Sequence, residues 1–130
     1  MINFAGSFAK KLARGSSPTV ILLSGDLGAG KTEFARAFIR AKLGQSYLVV
    51  PSPTFTIVQH YDGISHFDLY RINSTNELEE IGFFDALETG IVLIEWPERA
   101  GGFLPKNAVR INIESNGDER IVTVDMGEVK

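Results

Sequence analysis

The chain of 130 residues carries 13 Lys and Arg against 16 Asp and Glu, a formal net charge of −3, and no cysteine. That length fits one domain, the mild acidity disfavours holding nucleic acid unaided, and the missing cysteines exclude disulfides, thiolate zinc sites and cysteine nucleophiles. No apolar core of signal-peptide length opens the chain and no stretch approaches the ~20 apolar residues of a membrane span, so a soluble cytoplasmic protein is expected.

Phe4, Phe8 and Leu12, spaced by four, predict a short amphipathic helix over residues 2–14 that ends at Gly15. Residues 19–24, Thr-Val-Ile-Leu-Leu-Ser, are apolar and rich in β-branched side chains, as a buried parallel strand is. Gly25-Asp-Leu-Gly-Ala-Gly-Lys-Thr32 follows, a complete phosphate-binding loop. Beyond it, Phe34/Phe38 and Ala35/Ile39/Leu43 lie on two apolar diagonals of a helix over residues 32–43, with Gly44 as its C-cap. Tyr47-Leu-Val-Val50 reads as a short strand stopped by Pro51-Ser-Pro53. Residues 54–60 and 64–68 flank Tyr61-Asp-Gly63, a hairpin signal. Ser74-Thr-Asn-Glu77 is a capping box that opens a helix with Leu78 and Ile81 inward, until Gly82 ends it. Ile91-Val-Leu-Ile94 is a second buried strand, and residues 108–113 and 120–125 alternate around Asn116-Gly117 as a closing hairpin. The expected architecture is a single α/β domain over residues 1–130. It is a P-loop NTPase-like three-layer fold whose mixed sheet has a parallel core and antiparallel hairpins.

A strand, a glycine-rich turn and a helix in that order wrap a polyphosphate, because backbone N–H groups point inward and the helix N-terminus adds partial positive charge. Asp26, Leu27, Gly28, Ala29, Gly30 and Glu33 form that cradle, Lys31 reaches the β- and γ-phosphates, and the Thr32 hydroxyl ligates Mg²⁺. A second acidic group usually completes the metal shell from the end of a nearby apolar strand, and Glu95 stands there; the alternative is a surface carboxylate. Asp68, at the end of residues 64–68, either orients or deprotonates the attacking water, or holds the following turn against Arg71. Thr54, in the stiff Pro51-Ser-Pro-Thr54 loop, either closes on the γ-phosphate and metal or merely turns the chain. Trp96 either packs beside the nucleotide or covers the end of the sheet. His60 and His66 mirror each other about the turn; with no third ligand evident they read as cross-strand surface residues.

Gly25-Asp-Leu-Gly-Ala-Gly-Lys-Thr32, Ser52-Pro-Thr54, His66-Phe-Asp-Leu-Tyr-Arg71 and Glu95-Trp96-Pro-Glu98 together resemble the bacterial TsaE family in order and spacing, from about Gly6 to Arg120. That family is the small ATPase of tRNA threonylcarbamoyladenosine (t6A) synthesis. The resemblance implies hydrolysis of ATP in a complex with TsaB and TsaD partners, with tRNA met only through the complex. It implies Thr32 and Glu95 as Mg²⁺ ligands, Asp68 near the γ-phosphate, Trp96 beside the nucleotide, and Ser52-Pro53-Thr54 as a first switch. Family members usually begin with an extra strand and polar segment that help hold the adenine, whereas this sequence starts with Met1-Ile-Asn-Phe4. The adenine contact is therefore expected to be made differently or base selectivity to be weaker; no Asn-Lys-x-Asp guanine signature is present.

Two other classes compete with an ATPase. A nucleotide-dependent binding module would hydrolyse little and would not need Asp68 near a water. A small-molecule kinase would carry an arginine-bearing lid, and no arginine-rich insertion is present.

Overall fold

The computed structural model describes residues 2–12, 19–26 and 29–126. Two aliphatic strands, β1 (Thr19–Ser24) and β4 (Ile91–Glu95), pair in parallel at the centre, Thr19 opposite Ile91. Their inner residues are buried on both faces, the condition that selects continuous rather than alternating apolar runs. Strand β3 (Ile64–Asp68) adds in parallel to β4, and β5 (Val109–Asn116) adds in parallel to β1. The outer strands β2 (Val58–Tyr61) and β6 (Glu119–Asp125) are antiparallel, giving the order β2-β3-β4-β1-β5-β6.

The two-residue period of the strands divides the interior into two cores. Ile21, Leu23, Leu93, Ile111 and Ile113 pack with Phe34, Phe38 and Ile39 of α2 (Lys31–Leu43) and Phe8 of α1 (Ile2–Leu12). Rings of Phe8 and Phe38, 6.2 Å apart, tie α1 to α2. On the other face Val20, Leu22, Phe67, Val92 and Ile94 pack with Leu78 of α3 (Thr75–Glu80) and Phe83 of α4 (Phe83–Ala86). Helices on both faces of a mixed sheet make the expected three-layer α/β fold.

Several local expectations are corrected. Residues 47–50 are not a strand: Arg40 Nε donates to the Leu48 carbonyl at 2.9 Å and Arg36 Nε to the Val50 carbonyl at 3.1 Å. Side chains of α2 thus hold the chain where no neighbouring strand does. Residues 54–57 form a turn, closed by Ile57 N–H donating to Pro53 O at 2.7 Å, and β2 begins only at Val58. The capping box is shifted: Glu77 accepts from the Asn73 N–H at 2.5 Å, and the Ser74 side chain makes no cap bond. The closing hairpin turns at Gly117-Asp118, since Asn116 pairs with Glu119. Helix α4 and a 3-10 segment, Pro97–Phe103, were not foreseen. The expected end of the first helix at Gly15 lies outside the described residues. Among the described residues no helix is long and apolar enough to cross a membrane.

Candidate active site

Four buried polar or charged side chains stand out among the described residues: Lys31, His66, Asp68 and Glu95. All lie at one end of the sheet, where β3 and β4 finish and the loop after β1 enters α2. Burying charge costs free energy unless partners compensate, so such a cluster marks a built site.

The loop is shaped by two glycines. Gly25 has φ +146°, and a Cβ there would lie 2.3 Å from the Ile113 carbonyl oxygen of β5. Gly30, at φ 110°, is the N-cap of α2, and its carbonyl accepts the first helical bond from Phe34 N–H at 2.9 Å. The N-terminus of α2 therefore opens onto the cavity with Lys31 as its first residue. Lys31 Nζ donates to the Gly25 carbonyl at 2.7 Å and stands 3.6 Å from the centre of the Trp96 ring. Burial lowers its pKa, opposed by the carboxylates of Glu95, Glu98, Asp68 and Asp26.

Glu95 ends β4 directly opposite Asp68 at the end of β3. Thr32 Oγ1 donates across its carboxylate, 2.9 Å from Oε1 and 3.1 Å from Oε2, and His66 Nε2 is 2.7 Å from Oε2. Asp68 Oδ1 accepts from Tyr70 N–H at 3.0 Å, while Thr54 Oγ1 approaches Oδ2 at 3.4 Å. Burial raises the Asp68 pKa, partly offset by the Tyr70 N–H, with the Glu95 charge pushing it further up. Ile57, at φ 71°, holds the Thr54 turn in place: its carbonyl accepts from Asp68 N–H at 2.8 Å. Trp96 also has positive φ, 58°. A left-handed non-glycine residue costs roughly 1–3 kcal/mol, and Trp96 lines the cavity. The cavity, about 170 Å³, is lined by Gly30, Lys31, Thr32, Glu33, Thr54, Asp68, Glu95 and Trp96.

The family model described as Threonylcarbamoyl adenosine biosynthesis protein TsaE matches residues 1–122. The chain belongs to the TsaE family. It is 38% identical over 122 residues to the tRNA threonylcarbamoyladenosine biosynthesis protein TsaE of Rickettsia conorii, covering 89% of this chain and 69% of that one. The namesake protein of Haemophilus influenzae is 39% identical over 127 residues, covering 92% of this chain and 79% of the relative. The crystal structure of Bacillus subtilis YdiB superposes with a TM-score of 0.66 at 29% identity, covering 98% of this chain and 82% of that one.

Set against the TsaE-like motifs, most of the expected site residues converge. Gly30, Lys31, Thr32, Glu33, Thr54, Asp68, Glu95 and Trp96 share one cavity. Asp26 and Ala29 turn the loop beside it, joined by Ala29 N–H donating to the Asp26 carbonyl at 3.0 Å, whereas Leu27 and Gly28 lie outside the described residues. Asp68 accepts from the N–H of Tyr70 in the following turn and also lines the cavity. It does so without Arg71, which lies 4.7 Å over the Phe55 ring.

The histidines correct the expectation most. His60 is exposed and shares a 3.0 Å hydrogen bond with its cross-strand neighbour Ser65, as a surface residue would. His66 is fully buried against Glu95. The two point to opposite faces because they are an even number of residues apart but on two strands joined by a two-residue turn. Both faces of the sheet are covered, so burial follows the strand: His60 lies on the outermost strand β2, whereas His66 lies on β3, flanked by β2 and β4.

Thr32 and Glu95 offer hard oxygen donors, the set a magnesium ion prefers. Among the described residues no group of three or more His, Cys, Asp and Glu could hold a metal. Thr32 and Glu95 could hold a hard cation only together with oxygens from another source, such as a phosphate or water.

Proposed function

We propose that the cavity binds ATP with Mg²⁺ and hydrolyses it slowly, in support of t6A formation with TsaB and TsaD partners in the cytoplasm. The observation that carries this reading is the convergence of Lys31, Asp68 and Glu95, all buried, on one cavity at the N-terminus of α2. On binding, Lys31 exchanges the Gly25 carbonyl and the Trp96 ring for the β- and γ-phosphate oxygens. The N–H groups at the start of α2 take the remaining oxygens. Thr32 and Glu95 would hold the ion, which supplies neutralisation of charge between the β- and γ-phosphates. Asp68 orients a water, and its raised pKa makes it a better proton acceptor than an ordinary aspartate. Thr54, 3.4 Å from that carboxylate, closes on the terminal phosphate. The preference for adenine rests on family resemblance.

No arginine is among the cavity-lining residues; Arg99 sits 5.6 Å over the Tyr70 ring instead. An arginine supplied by a partner can raise such rates by ~10³–10⁵. Steady-state ATPase with and without TsaB–TsaD, beside a tRNA-binding assay at physiological salt, tests the reading. Slow turnover alone, stimulation by the partners and negligible tRNA affinity are expected; fast turnover alone or tight tRNA binding would overturn it.

One observation favours a second reading, a nucleotide-dependent binding module. Asp68 has a sufficient structural job in capping its own turn through Tyr70. Retained hydrolysis or its loss in an Asp68 variant separates the two.

A further inference from the structure

Of the four buried ionisable side chains, His66 alone has no part in the chemistry proposed above. It is fully buried on β3, two residue pairs before Asp68 and Glu95 meet in register. Its Nε2 lies 2.7 Å from Oε2 of Glu95, and its buried Nδ1 has no hydrogen-bond partner among the described residues. An ionised carboxylate only accepts, so Nε2–H donates and, in the neutral ring, Nδ1 keeps a bare lone pair.

The terminal torsion of a glutamate is broad and weakly restrained. The Thr32 hydroxyl lies nearly equidistant from the two Glu95 oxygens, at 2.9 and 3.1 Å, and so does little to choose between rotations. His66 touches Oε2 alone. We infer that His66 is a positioning residue: its Nε2–H pins Oε2 and thereby aims the Glu95 carboxylate at Thr32 and the cation. Residues that hold a metal ligand from behind typically change metal affinity 10–100-fold when lost. The inference rests on the proposed role of Glu95 as a Mg²⁺ ligand.

The test is calorimetric binding of ADP across a Mg²⁺ series, with an EDTA-treated sample as the metal-free arm. It compares wild type, His66→Leu, His66→Gln and Glu95→Gln, each checked for fold by circular dichroism. In His66→Leu the half-saturating Mg²⁺ concentration should rise about tenfold or more, with metal-free ADP affinity unchanged. His66→Gln, whose amide N–H reaches the place of Nε2, should restore the wild-type midpoint. If His66→Leu fails to fold, His66→Asn replaces it; its shorter amide does not reach Oε2 and should lose Mg²⁺ affinity where Gln keeps it. An unchanged midpoint in His66→Leu, or equal losses in the reaching and non-reaching variants, overturns the inference provided Glu95→Gln raises the midpoint. An unchanged midpoint in Glu95→Gln instead sinks the assignment of Glu95 itself.

Discussion

Strands β3 and β5 occupy equivalent places in the sheet and put different chemistry there. Each lies in parallel beside the central β4–β1 pair, and each joins an antiparallel outer strand through a two-residue turn. Towards α1 and α2, β5 presents Val109, Ile111 and Ile113, all in the apolar core. Level with Val109 and Ile111, β3 presents His66 and Asp68, with Ile64 one step earlier on the same face. The same backbone setting thus holds an aliphatic row on one side and an aliphatic–imidazole–carboxylate row on the other. Buried polar groups cost free energy that burial of aliphatic carbon would supply. On the proposed function, β5 is a strand of stability and β3 a strand of function. β5 still shapes the site, but by its backbone: the Ile113 carbonyl packs so close to Gly25 that no side chain fits.

Substitutions on the two strands should therefore fail in different measurements. The largest effect is expected for Asp68→Asn, which should lower single-turnover ATP hydrolysis by ~10²–10⁴ while nucleotide affinity stays near wild type. Undiminished hydrolysis would move β3 from catalysis to the binding-module reading. Ile111→Ala, in a fully buried position, should cost about 2–5 kcal/mol in urea unfolding and leave the affinity of the folded protein unaltered. A loss of affinity without a loss of stability there would erase the contrast between the strands. Gly25→Ala joins the two regions, since the added methyl would meet the Ile113 oxygen at 2.3 Å on a backbone of positive φ. It should destabilise by more than about 1 kcal/mol and weaken nucleotide binding together, read by urea titration and calorimetry on one sample. The smallest effect belongs to Ile121→Thr on β6, 46% exposed, which should shift stability by no more than about 0.5 kcal/mol.

The same contrast explains what was legible in the sequence. β1 and the aliphatic run of β4 were readable because burial on both faces leaves an uninterrupted apolar signature. Gly30, Lys31 and Thr32 of the phosphate loop, with Asp68, Glu95 and Trp96, were recognisable as parts of motifs, and they line one cavity. What failed depended on distant partners. Tyr47-Leu-Val-Val50 has strand-like residues, but arginines of α2 take two of its carbonyls and no strand lies beside it. Four-residue α4 is too short to show a helical period. His66 was placed on the surface because the turn fixes only the pairing of β2 with β3. That β3 is flanked on its other side by β4, while β2 is left at the edge, is decided far away in sequence. An inward position on a strand filled by His rather than Ile was the available signal, since β3 has Ile64 two residues before it and Asp68 two residues after.

Titration of wild type and Lys31→Ala with Mg²⁺-ATP, followed by calorimetry and by Trp96 fluorescence, tests the account most directly. Lys31 stands 3.6 Å over the only tryptophan, so withdrawing it to a phosphate should change the emission. The account predicts saturable heat and a saturable fluorescence change in wild type with the same midpoint. In Lys31→Ala it predicts affinity lowered by about ten- to a hundredfold, the equivalent of one charge-assisted contact. Equal binding by the two proteins, or binding by wild type that leaves Trp96 silent, would contradict it.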